Sequence, residues 1–375
     1  MLGGIIIYMI RKKGHGALPA QKILELINTG KINGAQVENV KPSSLDVCLS
    51  SEIYEVEGVF HPRPSENIRG ILKYIKNKKH PINKPLQVGK TYLARLQESF
   101  RLPKDIYAYC NPKSTTGRLD LHVRLMADNI SRYDSIPTKG WSGDLWVSIV
   151  PKTFSVKLYE GLSLNQIRFF NDDTRLTDGE LESATLEFGL LWRLGGEKYS
   201  YKEFMIVDND DSIILTLDLF SSVIGYKAKK TRRIVDMKKI GYYNWKDFFE
   251  VIKKKGDFVY LEKDSFYILS TAEAVRIPPC LASEMTPIDD RSGEFRSHYA
   301  GFLDPGWGWG AKGEGKGRPF TLEVRPFEDL IVRDRQPFAK IRFEKLMEDP
   351  NCVYDAMDSN YKVQSGPRFA KQFKQ

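Results

Sequence analysis

Short apolar runs, rich in β-branched and aromatic residues, recur along most of the chain between Gly, Pro, Asn and Asp. They include LWVSIV, FSVKLY, SIILTLDL, DFVYLE, SFYILS, FTLEV and LIVRD. Runs of this length and composition predict β-strands that are joined by turns. The pattern therefore predicts an all-β protein whose domains are sandwiches or barrels.

Helical periodicity is convincing in only two stretches. In PAQKILELINTG, residues 19–30, the apolar residues share one face and Gly30 ends the pattern. In NWKDFFEVIKKKG, residues 244–256, Asn244 is a candidate N-cap for a second apolar face. Both stretches are predicted helices. The polar stretch NDDTRLTDGELESA, residues 171–184, is predicted to be a linker.

The two halves of the chain share four segments in the same order and at a near-constant spacing. The pairs are SSLDVCL (43–49) with LTLDLF (215–220), YLARLQESFRLPKDIYAY (92–109) with FYILSTAEAVRIPPCLAS (266–283), KSTTGR (113–118) with RSGEFR (291–296), and LSLNQIRFF (162–170) with QPFAKIRFE (336–344). This regularity indicates an internal duplication, and two copies are too few for a solenoid. We expect two tandem domains, residues 1–175 and 176–375.

Composition and charge fit this picture. The chain has 375 residues, of which 41% are hydrophobic and 28% charged, enough for two ordinary globular domains. Its 57 basic residues are interspersed with 48 acidic ones, and no zinc-finger or RNP pattern is present. We therefore expect no nucleic-acid partner, since a net charge of +9 is also compatible with nucleotide binding or with solubility alone.

The four cysteines and the start of the chain indicate the compartment. The cysteines lie far apart and form no CxxC pair, which is typical of a reduced protein. The opening MLGGIIIYMIRKK is too short to span a bilayer and lacks a cleavage-site pattern. We expect a cytoplasmic protein without a membrane partner, whose translation starts at Met1 or at Met9.

A Gly-rich stretch, GWGWGAKGEGKGR, contains the GxxxxGK spacing of a phosphate-binding loop. Gly310, Gly315 and Lys316 satisfy the spacing, but Gly317 follows where Ser or Thr would bind Mg²⁺. Such a loop also opens a helix whose N-terminus holds the phosphate, whereas here the predicted strand FTLEV follows. The stretch is therefore predicted to be a flexible hairpin connection.

Three ordered motifs surround this stretch and resemble those of the dCTP deaminases in the dUTPase-like superfamily. That family reads R-S-S-x-x-R, then A-x-x-x-D-P-G-[WY], then a strand with T-L-E. The corresponding segments here are RSGEFR (291–296), AGFLDPGW (300–307) and TLE (321–323). SSLD at residues 43–46 and the terminal YDAMDSNYKVQSG also resemble the family's opening strand and its substrate-covering tail.

The resemblance implies a fold and an activity. The fold would be two tandem dUTPase-like, all-β domains with short helices, each a distorted barrel or jelly roll. The family's active site forms between neighbouring domains of a trimer, so a homo-oligomer is implied. The activity would be hydrolysis of dCTP to dUTP and ammonia, which supplies dUTP for thymidylate synthesis.

The resemblance also implies roles for individual residues. Without zinc, a carboxylate must move the protons, and this role falls to Glu323. The Ala300 carbonyl and Ser292 would hold the attacking water, with Arg296 close by. Substrate binding would involve Arg291, Ser292, Arg296, Tyr354 and Gln364 at the triphosphate, Asp304 at the 3′-hydroxyl, and Thr321, Leu322 and Tyr361. The triphosphate would carry Mg²⁺, with few direct protein ligands.

The chain departs from the family pattern in several places. Gly293 stands where a second Ser or Thr is common, the Gly-rich hairpin is longer than usual, and Asn360 replaces a Lys that Lys362 could substitute. The N-terminal copy has Ser148 where the C-terminal copy has Glu323, and it lacks AxxxDPG. We therefore expect this copy to be a structural partner or to supply side chains to the other copy's site.

Other functions remain open at this stage. A zinc deaminase is not expected, because the five histidines form no H-x-E and Ser283 replaces the second cysteine after Cys280. The cysteines are predicted to be small buried apolar residues. A dUTP diphosphatase or a bifunctional deaminase–diphosphatase would share the fold, and a non-catalytic nucleotide sensor or an oligomeric scaffold is the alternative of a different class.

Overall fold

A computed structural model of the chain describes residues 14–204, 210–254, 257–297, 299–357 and 364–374. Both candidate start residues, Met1 and Met9, lie outside these ranges. The described residues form two compact units. The C-terminal unit takes those in Met1–Pro19, Asp172–Lys229 and Phe248–Arg368, and the N-terminal unit takes those in Ala20–Asn171, Lys230–Asp247 and Phe369–Gln375. Two segments of the C-terminal half of the sequence thus belong to the N-terminal unit.

The N-terminal unit is built on one large antiparallel sheet. Its central strand order is β7-β9-β5-β3-β11-β6-β8, with β1 on β5 and with β2 and β4 on β3, while β10 and β15 form a separate parallel pair. The strands are β1 (Ile32–Asn33), β2 (Val40–Lys41), β3 (Ser44–Val56), β4 (Asn77–Lys79), β5 (Thr91–Arg101), β6 (Tyr107–Pro112), β7 (Leu121–Ala127), β8 (Ser135–Ile136), β9 (Ser142–Pro151), β10 (Ser155–Lys157), β11 (Ser163–Phe170) and β15 (Ile234–Asp236).

The C-terminal unit distributes its strands over three sheets. Their orders are β16-β14-β18-β22-β20 with β12 on β18, then β13-β24-β19-β21, and finally the pair β17-β23. The strands are β12 (Leu191–Arg193), β13 (Ile213–Thr216), β14 (Tyr226–Ala228), β16 (Phe249–Val251), β17 (Phe258–Leu261), β18 (Tyr267–Val275), β19 (Leu281–Thr286), β20 (Phe295–Arg296), β21 (Phe302–Leu303), β22 (Arg318–Pro326), β23 (Leu330–Arg333) and β24 (Pro337–Lys345). Leu322 and Val324 of β22 point into its apolar core.

Equivalent strands pair in the same order in both units. β9 lies beside β5 in the N-terminal unit, as β22 lies beside β18 in the C-terminal unit. The run β3-β11-β6-β8 likewise corresponds to β13-β24-β19-β21. The sheet is continuous from β5 to β3, whereas the corresponding step is reduced to a bridge between Leu217 and Thr271. This shared order is what an internal duplication predicts, and the mostly β architecture is confirmed.

Helices are short in the described residues. The α-helices are Ala20–Asn28, Ile68–Ile71, Ser114–Gly117 and Asp178–Phe188, and the 3-10 helices are Val37–Asn39, Tyr201–Glu203, Trp245–Asp247, Asp290–Ser292 and Tyr354–Ala356. The helix predicted at residues 19–30 is confirmed. Across the described ranges, no helix has both the length and the apolar character needed to cross a bilayer.

The helix predicted at residues 244–256 is wrong. After the 3-10 turn Trp245–Asp247 the chain continues as β16, which pairs antiparallel with β14. Phe248 and Phe249 are both fully buried, although they are adjacent in sequence. Strand pairing and aromatic burial therefore override a helical pattern that rested on local sequence alone.

The prediction that residues 171–184 form a linker fails in its second half. A helix, Asp178–Phe188, begins there with a capping box in which Thr177 and Glu180 bond each other's backbone amides. Leu181 and Phe188 are buried, so the helix is packed into the C-terminal unit. The Thr-x-x-Glu spacing was the sequence signal for this helix.

Both copies place a buried glutamate at the same irregular point of equivalent strands. On β5, both carboxylate oxygens of Glu98 accept from the Cys48 amide, at 3.1 and 3.0 Å. On β18, Glu273 accepts from the amide and the hydroxyl of Thr216, at 2.8 and 2.6 Å. The register of β5 against β9 shifts across Glu98, and that of β18 against β22 shifts across Glu273. Burial raises the pKa of Glu98 to about 7 and also raises that of Glu273.

We expect the free energy of unfolding to fall as pH rises from about 4.5 to about 7. In that window folded Glu98 keeps a proton that the unfolded chain has released, so stability is lost as pH increases. Glu98→Gln cannot ionise and should remove about 2–3 kcal/mol of this pH-dependent change. Urea unfolding at pH 5 and pH 8 measures it, with exposed Glu57→Gln as the control. An undiminished pH dependence in Glu98→Gln would contradict the assignment.

Candidate functional site

Glu323 lies in the middle of β22, between β18 and β20. It stands opposite Ile268 of β18 and is only 2% exposed. Thr321 and Arg325, which share its face of the strand, are buried as well. A solvated strand glutamate is therefore excluded, and the carboxylate needs polar partners inside the unit.

Two backbone amides supply such partners. Oε2 of Glu323 accepts from the Tyr299 amide at 3.0 Å and from the Ala300 amide at 3.4 Å. Both amides belong to the segment that enters the DPG motif, so this motif meets the TLE motif at the carboxylate. Hydrogen bonds from backbone amides to a carboxylate fix its orientation without using a flexible side chain.

Arg296 lies beside Tyr299, whose amide binds Glu323. It is on β20, directly opposite Arg325 of β22. Its guanidinium carbon is 4.3 Å from the centroid of the Tyr299 ring, a cation–π contact. Arg296, Ala300 and Glu323 are therefore brought together around Tyr299. Sequence analysis missed Tyr299, because it occupies a position between the motifs that no motif specifies.

Arg291 and Ser292 lie on the 3-10 helix Asp290–Ser292, where their hydrogen bonds are to Asp289. The Arg291 guanidinium donates to the two carboxylate oxygens of Asp289 at 2.7 and 2.8 Å, and the Ser292 amide donates to the Asp289 carbonyl at 3.0 Å. This pairing holds the pKa of Asp289 well below its usual range. A planar fork of donors that binds a carboxylate in this way is also suited to phosphate oxygens.

The DPG turn contacts the start of the tail. Asp304 is buried in this turn, after β21. Gly306 has φ +88°, and a Cβ added there would lie 2.5 Å from the Cβ of Val353. The Tyr354 amide donates to the Pro305 carbonyl at 2.8 Å. Glycine is therefore required where the tail crosses the turn, and Tyr354 is held close to Asp304.

The rest of the described tail follows β22. The Gln364 side-chain amide donates to the Pro319 carbonyl at 2.7 Å, and the Arg368 amide donates to Oγ1 of Thr321 at 3.2 Å. Gln364 and Thr321 thus lie along the strand that carries Glu323, and Leu322, between Thr321 and Glu323, is fully buried. Tyr361, Asn360 and Lys362 lie outside the described residues.

The Gly-rich stretch is a hairpin that leads directly into β22, so the predicted strand is confirmed. It is more constrained than the flexible connection that was expected. Gly315 and Gly317 donate backbone hydrogen bonds to Trp309 and Gly308, at 2.7 and 3.0 Å. The guanidinium carbon of Arg276 lies 3.7 Å from the centroid of a Trp309 ring. The hairpin therefore packs onto its own unit.

The equivalent positions of the N-terminal copy look different. Ser148 of β9, which corresponds to Glu323, is buried opposite Leu93. Lys113 forms an ion pair with the buried Asp46, and Arg118 is itself buried. Arg118 of this copy's KSTTGR motif is therefore enclosed and Lys113 is partly covered, in contrast to the exposed Arg291 of the other copy.

Cysteines and other side chains that could bind a metal ion were the remaining candidates for chemistry. Cys48, Cys110 and Cys280 are buried, as predicted for small apolar residues, and Cys352 is exposed. Among the residues that the structure describes, no group of three His, Cys, Asp or Glu side chains is arranged to hold a metal ion.

Comparison with known proteins identifies the family. Family models of the N-terminal and C-terminal domains of 2′-deoxycytidine 5′-triphosphate deaminase match residues 14–173 and 197–373. The fold is similar to the crystal structure of 2′-deoxycytidine 5′-triphosphate deaminase from Agrobacterium tumefaciens. The TM-score is 0.80 and the identity 34%, over 89% of this chain and 100% of that one. A search of curated proteins gives no match. The chain belongs to the 2′-deoxycytidine 5′-triphosphate deaminase family, a family of hydrolytic deaminases.

Proposed function

We propose that the chain hydrolyses dCTP to dUTP and ammonia, with Glu323 as the general acid–base. The observation that carries this proposal is the environment of Glu323. A carboxylate that is 2% exposed is oriented by two backbone amides and lies beside Arg296 through Tyr299. The N-terminal copy, with Ser148 at the equivalent position, has no carboxylate there to do this work.

The reaction needs a group that accepts and then returns protons. Glu323 takes a proton from water as the water oxygen bonds to the amino-bearing ring carbon, and it delivers that proton to the adjacent ring nitrogen. The second proton of the water then passes through Glu323 to the amino group. The carbon–nitrogen bond breaks, ammonia leaves, and the ring carbon keeps the oxygen as a carbonyl, so one water is consumed for each dUTP formed.

The neighbours of Glu323 would place the water. The Ala300 amide already binds the carboxylate, which brings the Ala300 carbonyl into the same region. The carbonyl would accept a hydrogen bond from the water, and the Ser292 hydroxyl would donate one to it. Arg296 would stabilise negative charge that develops on the water oxygen during attack.

The substrate's phosphates and sugar would be bound by the remaining motif residues. The guanidinium groups of Arg291 and Arg296 offer charge-assisted hydrogen bonds to phosphate oxygens. On substrate binding, the Arg291 guanidinium would release the Asp289 carboxylate and bind a phosphate group, since both groups present paired oxygens. The residues expected to complete the substrate site are Ser292, Tyr354, Tyr361 and Gln364 at the triphosphate, Asp304 at the 3′-hydroxyl, and Thr321 and Leu322 along β22.

Mg²⁺ would enter with the substrate as the cation of the triphosphate. The charged side chains proposed for the triphosphate site are arginines, which bind phosphate oxygens and not metal ions. We therefore propose that phosphate oxygens and water hold the cation. We also propose that the enzyme works in the cytoplasm as a homo-oligomer and supplies dUTP for thymidylate synthesis.

A product assay tests this function. With dCTP and Mg²⁺, we expect equal amounts of ammonia and dUTP, and neither dUMP nor pyrophosphate. Activity should require Mg²⁺ and survive a chelator that is selective for zinc, because the proton transfers are assigned to Glu323. Formation of dUMP with pyrophosphate would indicate a bifunctional enzyme. Stoichiometric bound zinc whose removal abolishes deamination would overturn the mechanism.

A further inference from the structure

One buried carboxylate joins the Gly-rich hairpin to the tail. Asp355 directly follows Tyr354 and is 1% exposed. Its Oδ2 accepts from the Gly310 amide at 2.7 Å, and its Oδ1 accepts from the Arg318 guanidinium at 2.7 Å. A carboxylate this deeply buried persists only when it is paired and hydrogen-bonded, so the two partners are a structural requirement.

The aromatic neighbours close a ring of contacts around this carboxylate. The Tyr354 ring packs against Trp307, with centroids 5.1 Å apart. The Arg318 guanidinium carbon lies 5.4 Å from the centroid of the Trp307 ring. Tyr354 is therefore fixed from two sides, through its own ring and through the carboxylate of the next residue.

Arg318 connects this ring of contacts to Glu323. It is the first residue of β22, opposite Val275 of β18. Five residues further along the same strand lies Glu323, and a paired strand transmits position with little freedom. The Asp355–Arg318 ion pair thus ties the segment that carries Tyr354 to the strand that carries Glu323, in addition to the hydrogen bond between the Tyr354 amide and the Pro305 carbonyl.

The hairpin is shaped to supply the second partner. Gly310 has φ +82°, and the Glu314 carboxylate binds the amides of Ala311 and Lys312 at 3.2 and 2.7 Å. The Arg276 guanidinium donates to the Gly313 carbonyl at 2.6 Å. These bonds fold the hairpin back on itself and leave the Gly310 amide directed at Asp355.

We propose that Asp355 is a positioning residue for substrate binding: by holding the Gly310 amide and Arg318, it fixes Tyr354 at a set distance from Glu323. The Gly-rich hairpin then serves substrate binding as a support for Tyr354, without binding phosphate through its own backbone. This inference rests on the proposed function, because it is there that Tyr354 is assigned to the triphosphate.

The test compares Asp355→Asn with Glu180→Gln in the full-length protein. Glu180 pairs with Lys345 at 2.9 Å in the same unit and is partly buried, so its substitution controls for a broken ion pair. We expect Asp355→Asn to raise KM for dCTP about tenfold while kcat changes less than about threefold. Glu180→Gln should leave KM unchanged. Should Asp355→Asn fail to fold, Arg318→Lys carries the same test, with a KM rise of at least about threefold.

A second readout does not depend on activity. Trypsin cleavage after Lys312 and Lys316 should accelerate in Asp355→Asn but not in Glu180→Gln. The Asn side chain keeps only one acceptor oxygen, so it cannot hold both the Gly310 amide and the Arg318 guanidinium, and the hairpin loosens. Wild-type KM together with wild-type proteolysis would overturn the positioning role. If the wild-type protein does not deaminate dCTP, the proposed function fails, while the proteolysis comparison still decides whether Asp355 holds the hairpin.

Discussion

Replacing Glu323 by Gln is expected to lower the single-turnover rate of dCTP deamination by about 10²–10⁴-fold, or about 3–5 kcal/mol of transition-state stabilisation. Glutamine keeps the size of the side chain and one carbonyl oxygen that can accept from the Tyr299 and Ala300 amides. It cannot accept and return a proton. Affinity for dCTP should change less than about threefold, because the proposed phosphate contacts lie on other residues.

Glu273→Gln is the matched control for this change. Glu273 is also buried in the C-terminal unit and also accepts two hydrogen bonds, from Thr216. Its substitution should leave the single-turnover rate within about twofold of the wild-type value. A Glu323→Gln enzyme that deaminates dCTP normally would show that the proton transfers belong to another group.

Arg296→Ala should produce the second large loss, about 10²-fold or more in kcat/KM. The substitution removes the guanidinium that lies on the Tyr299 ring, and with it the charge proposed to stabilise the attacking water. Arg333 is exposed in the same unit, on β23, which pairs with β17 and not with β22. Arg333→Ala therefore provides the control for the loss of one positive charge. Steady-state kinetics with dCTP and Mg²⁺ give the comparison.

Arg118→Ala tests whether the N-terminal copy contributes to catalysis. Arg118 is the equivalent of Arg296 in the repeated motif, but it is buried in the N-terminal unit. Its loss should lower stability, while the fraction that remains folded keeps measurable activity. Complete loss of turnover in folded Arg118→Ala protein would show that the N-terminal copy also builds the catalytic centre.

Sequence patterns predicted many of the strands because the alternating or continuous apolar residues of a strand are visible within a few neighbouring positions. FTLEV and LWVSIV became β22 and β9 as expected. The stretch at residues 244–256 was misassigned because the pairing partner of β16 is distant in sequence. A short run of apolar and aromatic residues fits either a helix or a strand, and local periodicity does not show which distant segment it pairs with.

Only the candidate-site residues that lie within the sequence motifs were predicted. Glu323, Ala300 and Arg296 were selected from sequence, and the structure places them around one aromatic ring. Tyr299 contributes its ring to Arg296 and its backbone amide to Glu323, and a backbone donor cannot be recognised from residue type. Asp355 was overlooked for a related reason: one of its two partners is the amide of Gly310, which carries no side chain.

The discontinuous units make this chain hard to divide. Residues 230–247 and 369–374 are encoded within the C-terminal half but pack into the N-terminal unit, where β15 pairs with β10. A cut near residue 175 would strip one fragment of these pieces and leave the other with segments that have lost their packing partners. Neither half of the sequence is therefore a removable module, and each unit is completed only when the whole polypeptide has been made.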